Sequence, residues 1–134
     1  MKYAYTILYV EDVEKTISFY ESAFGFQKKF ITPEGDYGEL ISGETTIAFA
    51  SNSLGNSNFK KGFRKLSLKD MPNGVEMAFT TENIEADFDK ALKVGAVEYE
   101  KIKAKPWGQK VGYLRDLNGF LIEVCTPVKN KNFD

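Results

Sequence analysis

The chain of 134 residues contains no histidine, and this absence excludes several familiar catalytic sites. Neither a Ser–His nor a Cys–His pair can form, and iron cannot be held by two imidazoles and a carboxylate. Zinc sites favour imidazole or thiolate ligands, and Cys125 is the only cysteine. It lies in an apolar run and is expected to be an inert buried thiol. With one cysteine no internal disulfide can form, which fits a reducing compartment.

Long apolar runs and a strong net charge are also absent. No run of about 18 apolar residues occurs, so no membrane-spanning helix is expected. The N-terminus lacks an apolar signal core, and we predict a cytoplasmic location. The 18 basic and 19 acidic side chains leave a net charge of −1, and the lysines are scattered along the chain. We therefore expect neither a nucleic acid nor a membrane as a partner.

What the chain does contain is an ordinary globular composition that is rich in aromatic residues. Hydrophobic residues make up 43% of the chain and charged residues 28%, and the length is that of one domain. Aromatic residues account for 14%, which suits a core or a ligand pocket lined with rings. No glycine-rich loop of the kind that binds nucleotides is present.

The chain also repeats itself. In each half, a run rich in β-branched and aromatic residues is followed by apolar residues at helical spacing. The two helical stripes begin at Val13 and Ile84, an offset of 71 residues, and they end at Gly25 and Gly95, an offset of 70. Glycine is the usual residue just beyond the end of a helix. Two such units at nearly one period indicate an internal duplication.

Three short strand candidates follow each predicted helix, at 27–32, 37–42 and 45–51 in the first half and at 97–103, 110–115 and 120–126 in the second. The resulting order, βαβββ twice, predicts an α+β fold within a single domain, with modules at 3–51 and 75–127. A linker covers 52–74, and its phenylalanines and leucines predict that it packs against the rest of the chain. Residues 129–134 form a mostly polar tail that is expected to fray.

Four segments carry a family resemblance: the strand–helix opening at 5–13, the helix end at 19–26, the segment at 106–109 and the stretch at 115–123. The last looks like the family pattern Asp-Pro-x-Gly-x-x-x-Glu, with Leu117 where proline is usual. The sequence thus resembles the vicinal oxygen chelate superfamily of glyoxalases, bleomycin-resistance proteins and extradiol dioxygenases. The resemblance implies two curled mixed sheets that close around a cavity, and a homodimer, as in many members.

The resemblance also implies where a metal would be bound in the enzymes of the family. They use four positions, on the first and last strand of each module, and these fall here on Tyr5, Phe49, Glu76 and Glu123. Only two of the four are carboxylates. We therefore predict no metal and no other cofactor, and keep a divalent metal on the two glutamates as an alternative.

Glu76 and Glu123 are the first candidate site residues. Glu123 lies among apolar residues at 120–125, where a carboxylate is costly unless it is paired or faces a cavity. It is either a ligand-facing group or the partner of a buried cation or tyrosine. Glu76 is either a site residue or an ordinary exposed residue near a strand start. If both face one cavity they repel, and one pKa rises unless a cation lies between them.

Three aromatic residues and an arginine complete the candidates. Tyr5, Phe49 and Trp107 either stack on a ligand or fill the core. Trp107 is placed between a loop and a strand, so it is a rim residue or an apolar plug. Arg115 either binds an acidic ligand group or pairs with the aspartate that follows it.

These observations leave two principal functions open. The first is metal-free binding of a small molecule, as in sequestration of a drug by bleomycin-resistance proteins, with Tyr5, Phe49, Glu76, Trp107 and Glu123 as ligand-binding residues. The second is a lyase, isomerase or dioxygenase-like enzyme in which Glu76 and Glu123 are catalytic, with a divalent metal or as a general base. A sensing or interaction domain with a degenerate pocket is a third possibility.

Overall fold

The computed structural model describes residues 1–128, so the predicted polar tail at 129–134 lies outside the described residues. Within residues 1–128 the chain forms eight strands and three helices. In order these are β1 (Thr6–Val10), α1 (Val13–Phe24), β2 (Gln27–Ile31), β3 (Tyr37–Ser42), β4 (Thr45–Ser51), α2 (Asn52–Asn58), β5 (Glu76–Thr80), α3 (Ile84–Val94), β6 (Val97–Ala104), β7 (Lys110–Arg115) and β8 (Leu121–Cys125). None of the helices in this part of the chain is long and apolar enough to cross a bilayer.

The chain divides into two units, one ending at Ser67 and the other beginning at Leu68. Each unit holds one four-stranded sheet, with strand order β1-β4-β3-β2 in unit 1 and β5-β8-β7-β6 in unit 2. The first strand of each sheet runs parallel to its neighbour, and the other pairs are antiparallel. The predicted α+β class and the duplicated βαβββ order are therefore confirmed.

Local capping chemistry explains where α1 begins and ends. The Asp12 carboxylate accepts a hydrogen bond from the backbone N–H of Lys15 at 3.0 Å, which satisfies one of the free donors at the helix start. Gly25 ends the helix in the left-handed conformation, with φ at 73°, and its N–H donates to the Glu21 carbonyl. The apolar stripe between these ends is buried against the sheet of unit 1, which fixes which side of that sheet the helix covers.

Each sheet has one side packed against a long helix, and we call the opposite side its far face. In unit 1 the Phe49 ring on β4 lies 5.0 Å from the Tyr20 ring of α1, between ring centroids, so Phe49 points toward the helix. In unit 2 a Cβ at Gly112 of β7 would lie 2.7 Å from Phe88 of α3. Phe49 and Gly112 therefore lie on the helix side of their sheets. Because strand side chains alternate between faces, the residues directly before and after each of them lie on the far face.

The part of the predicted linker that belongs to unit 1, residues 52–67, contains α2 and packs against β1. The Phe59 and Phe63 rings contact the Tyr9 ring of β1, at centroid distances of 5.6 and 5.0 Å. Gly55 of α2 lies against the same rings, and a Cβ there would be 2.6 Å from Phe63. Phe59 and Phe63 thus pack on β1, whereas Leu68 is 41% exposed.

The close approach at Gly112 leads to a prediction about stability. Alanine at Gly112 would bring its Cβ within 2.7 Å of the Phe88 ring and 2.9 Å of Ile102, and a ring packed in a core cannot easily yield. Overpacking of this kind costs about 1 to 3 kcal/mol of the free energy of unfolding, measured by urea denaturation. Gly74→Ala is the matched control, since nothing lies within 4 Å of its added Cβ. Equal urea midpoints for the two variants would contradict the assignment of Gly112 to the side of the sheet that packs on α3.

Candidate functional site

The far face of unit 2 brings a tyrosine and two carboxylates together. Glu123 of β8 lies directly opposite Ala78 of β5 on one side and Tyr113 of β7 on the other. Glu76 precedes Ala78 by two residues on β5 and so shares this face. The three polar side chains come from three adjacent strands, which hold them at fixed spacing.

A hydrogen bond fixes the orientation of the Glu123 carboxylate. The Tyr113 hydroxyl donates to Glu123 Oε1 at 3.1 Å, and both side chains are half-buried. Burial, and then the hydrogen bond and negative charge of Glu123, raise the pKa of Tyr113. The phenol therefore stays protonated and acts as a donor. Of the two explanations open for Glu123, partner of a tyrosine and ligand-facing group, the structure shows the first.

Glu76 and Glu123 lie on adjacent strands of this face, and Glu76 is exposed while Glu123 is half-buried. Partial burial, followed by the negative charge and the carboxyl group of Glu123, raises the pKa of Glu76 above its ordinary value. The pair therefore binds a proton more readily than an isolated glutamate, as two like charges that share a site do.

The thiol next to this pair is not a nucleophile. Cys125 is buried on the same face, and burial followed by interaction with Glu123 raises its pKa to about 11. The thiolate, which is the reactive form, is scarce at neutral pH for such a group. This agrees with the predicted inert thiol.

The donors on these strands do not fit the metal site that the family resemblance implies. The sequence assigned the family position on β4 to Phe49, but the register places Ala48 there: Ala48 lies opposite Ile7 in unit 1 as Glu123 lies opposite Ala78 in unit 2. Alanine offers no ligand atom. Over residues 1–128, no three His, Cys, Asp or Glu side chains are grouped closely enough to hold a metal ion.

Phe49, which the sequence assigned to a ligand-binding position, lies in the core instead. It is fully buried at 0% exposure, and its ring packs on Tyr20 of α1. It pairs with Leu8 in the parallel register, and both side chains point toward α1. The neighbouring Ala48 is the residue of β4 that shares the far face with Tyr5.

Tyr5 does lie on the far face of unit 1, where 43% of its surface is exposed. It interacts with the Tyr37 hydroxyl of β3, which in turn donates to Glu39 Oε2 at 2.7 Å. Burial, followed by these interactions, raises the pKa of Tyr37 well above its ordinary value. Tyr5 is thus part of a polar network in unit 1 that the sequence did not predict.

Trp107 lies on the turn between β6 and β7 and is 53% exposed, so it is not an apolar plug. Its indole N–H donates to Gln109 Oε1 at 2.8 Å, and Gln109 Nε2 donates to the Thr126 carbonyl at 2.8 Å. This chain of bonds holds the indole in place with much of its surface free. Trp107 is therefore an exposed residue of the turn, and its hydrogen bond goes to Gln109 rather than to the carboxyl pair.

Arg115 has a structural role. Its guanidinium donates from Nε to the Gly119 carbonyl at 3.0 Å and from Nη1 to the Leu68 carbonyl at 3.2 Å. These bonds tie the first residue of unit 2 to the β7–β8 turn. The buried Arg115 guanidinium therefore binds backbone carbonyls, and these bonds occupy donors that an acidic ligand would need.

Beyond these side chains, unit 2 has an open cavity of about 220 Å³ at the start of α3. Its wall contains the ion pair between Lys110 Nζ and Glu85 Oε1, at 2.6 Å, and the turn residue Gly108. Lys110 alternates with Val111 on β7 and belongs to the side of the sheet that carries α3. The cavity is therefore separated by the sheet from Glu76 and Glu123.

Sequence reasoning missed Tyr113 and the Tyr37–Glu39 pair. Tyr113 could have been found from the hairpin, because a turn centred on Asn118 pairs residue 113 with residue 123. The Tyr37-x-Glu39 spacing was also a signal, since residues two apart on a strand share a face. Neither pair stands out by composition alone.

The comparisons with known proteins establish the family. Residues 3–129 match the family model of the Glyoxalase-like domain, so the chain belongs to this family. This confirms the resemblance to the glyoxalase, bleomycin-resistance and dioxygenase superfamily. A search of curated protein sequences found no match.

Solved structures with the same fold are numerous. One is a hypothetical protein from S. aureus, 18% identical, with a TM-score of 0.79 over 95% of this chain and 94% of that one. A glyoxalase-related enzyme from Fulvimarina pelagi is 16% identical, with a TM-score of 0.77 over 95% and 89%. A fosfomycin resistance protein from Mesorhizobium loti is 12% identical, with a TM-score of 0.70 over 99% and 98%. At these identities the likeness shows the fold alone.

Proposed function

We propose that this protein binds a small molecule with a basic nitrogen, and that Glu76, Glu123 and Tyr113 hold that group. The observation that carries the proposal is the placement of the two carboxyl groups on adjacent strands of the far face of unit 2, where the Glu123 charge raises the pKa of Glu76. Two like charges placed this close together favour the binding of a proton or of a cation. An amine that arrives as an ammonium ion supplies both the charge and several N–H donors.

The surroundings of the pair favour an organic cation over a metal ion. Tyr113 occupies one oxygen of Glu123 with a hydrogen bond, and alanine stands at one of the positions that bind metal in the family. Ammonium groups need no fixed coordination number, and they form strong charge-assisted hydrogen bonds with carboxylates. The far face therefore suits an amine better than it suits a divalent metal.

Sequestration of a drug or metabolite is the biological role that we infer from this chemistry. Binding proteins and enzymes share the fold, and one structure of similar fold is a fosfomycin resistance protein. A binder needs only complementary charge and shape, which the carboxyl pair provides. We also infer that the protein forms a homodimer, which light scattering coupled to size-exclusion chromatography would test.

A binding screen tests the proposal. Aliphatic and aromatic amines are compared with alcohols of the same shape, by thermal shift and then by calorimetry. We expect several amines, and none of the matched alcohols, to raise the melting temperature. Glu76→Gln is expected to weaken the best amine about tenfold, since a hydrogen bond to a charged group is worth about 1.5 to 3 kcal/mol.

The matched control for that variant is Glu98→Gln, because Glu98 is exposed on β6 of the same sheet and pairs with Leu114 on the side of α3. The affinity of Glu98→Gln for the best amine should equal that of the wild type. Equal binding of amines and alcohols would refute the proposed role of the carboxyl pair.

Catalysis by Glu76 as a general base is the second candidate, and the raised pKa of its carboxyl favours it. A carboxylate that holds a proton more tightly is also a stronger base when it has lost that proton. The amines found in the screen would then be consumed, which proton NMR of the mixture would detect over hours. Consumption by the wild type but not by Glu76→Gln would make the protein an enzyme, and unchanged ligand would leave it a binder.

A further inference from the structure

The far face of unit 1 has its own carboxylate, Glu39, which is not among the ligand-binding residues proposed above. Glu39 of β3 lies in a cross-strand row that runs Ile7, Ala48, Glu39 and Phe30. The corresponding row in unit 2 is Ala78, Glu123, Tyr113 and Glu100. Each unit thus keeps one hydrogen-bonded Tyr–Glu pair on its far face, with the carboxylate on a different strand.

Glu39 is buried on this face, with 8% of its surface exposed. Tyr37 donates a short hydrogen bond of 2.7 Å to Glu39 Oε2. The other oxygen, Oε1, faces Lys29 Nζ at 3.5 Å, and 52% of the Lys29 side chain is exposed. An ion pair with so exposed a lysine at this distance contributes little to stability, so the ammonium group can leave at small cost.

Aromatic rings stand beside this carboxylate. The Phe30 and Tyr37 rings lie 6.0 Å apart between centroids at an angle of 40°, and Tyr5 interacts with the Tyr37 hydroxyl. Phe30 and Tyr5 are both exposed. Rings around a carboxylate offer a cation two kinds of attraction, from the negative charge and from the π faces, and this combination suits alkylated ammonium groups.

We propose that Glu39, Phe30, Tyr37 and Tyr5 form a second cation site, in unit 1, that takes an alkylated ammonium group, and that Lys29 occupies it when no ligand is bound. The Lys29 ammonium already lies where the head group of such a ligand would contact Oε1. The ligand competes with this internal cation, and the rings favour it because methyl groups on nitrogen gain contact area that a primary ammonium lacks. The proposal uses residues of unit 1 alone and does not depend on the function of the carboxyl pair in unit 2.

Tetramethylammonium is the probe for this site, because it cannot donate hydrogen bonds and so reports charge and ring contacts alone. Its binding is followed by NMR through the ring signals of Phe30 and Tyr37, in a Glu123→Gln background. We expect saturable shifts of both rings. Lys29→Met keeps the aliphatic stem and removes the competing charge, and it should tighten binding at least threefold.

Two further variants make the result decisive. Glu39→Gln should abolish the ring shifts, and Phe30→Leu should weaken binding about two- to fivefold, the range for a single cation–π contact at an exposed site. Lys28→Met is the control, since Lys28 is the exposed neighbour that pairs with Leu40 rather than Glu39. The proposal is overturned if the probe leaves both rings unshifted in Lys29→Met, or if Glu39→Gln binds as well as its parent.

Discussion

Replacing Glu123 with glutamine is expected to weaken amine binding by about tenfold to a hundredfold and to lower the pKa of Glu76. The change removes the charge that repels the Glu76 carboxylate and attracts the amine, while the side chain keeps its size, an acceptor oxygen and its place opposite Tyr113. Loss of a charged hydrogen-bond partner costs about 1.5 to 3 kcal/mol, which corresponds to this range of affinity. Calorimetry measures the affinity, and NMR titration of the side-chain carboxyl carbons measures the pKa.

The same pair gives a pH dependence whose sign can be stated. The pKa of Glu76 is raised in the folded protein, so the folded state binds more protons than the unfolded chain above the ordinary value of 4.5. Stability from this group is therefore fully present at low pH and is lost as the pH rises through the raised pKa. Glu76→Gln and Glu123→Gln should both flatten this decline in urea midpoints.

Ligand binding should follow the opposite trend. As Glu76 loses its proton, the site gains a negative charge for the ammonium group, so affinity for an amine rises over the same pH range until the amine itself deprotonates. An affinity that stays constant through this range, in wild type and Glu123→Gln alike, would show that the carboxyl pair does not contact the amine.

Phe49→Ala is expected to be the most damaging single substitution for stability discussed here, lowering the free energy of unfolding by about 3 to 5 kcal/mol. The Phe49 ring is fully buried and packs on Tyr20, so its loss leaves a cavity between β4 and α1 that both elements border. Urea denaturation measures the change. Below the unfolding transition the amine affinity of the variant should match the wild type, because Phe49 points away from the far face.

Phe30→Ala is the contrasting variant for this prediction. Its ring is exposed on the edge strand β2, and its removal should change stability far less than removal of Phe49. A large loss for Phe30→Ala and a small one for Phe49→Ala would mean that the two faces of the sheet in unit 1 had been assigned the wrong way round.

The position of Phe49 shows why sequence reasoning misjudged one candidate. Residues 47–50 of β4 are all buried, so no alternation of polar and apolar residues marks its two faces. The face is decided by the parallel pairing of Leu8 with Phe49, a contact between residues far apart along the chain. A one-residue difference in register moves a side chain to the opposite face of a sheet.

The grouping of Glu76 with Glu123 was accessible only as a hypothesis. The family resemblance placed both residues at metal-binding strand positions, but their proximity depends on β5 pairing in parallel with β8. Tyr113 and Glu39 were missed because the importance of each depends on a hydrogen bond to a partner residue. The type of a single residue does not predict such a bond.

The amino-acid sequence by itself determined the duplicated βαβββ order, the ends of the helices and the lack of imidazole ligands, because local spacing, capping residues and composition act within a few residues of chain. The tertiary structure alone decided which face each strand residue occupies and which carboxylates lie near one another. It also decided which carboxylates accept a hydrogen bond from tyrosine or form an ion pair with lysine. Those outcomes depend on the register of strands that are distant in sequence, and hydrogen bonds and electrostatic repulsion act over only a few ångströms once that register is set.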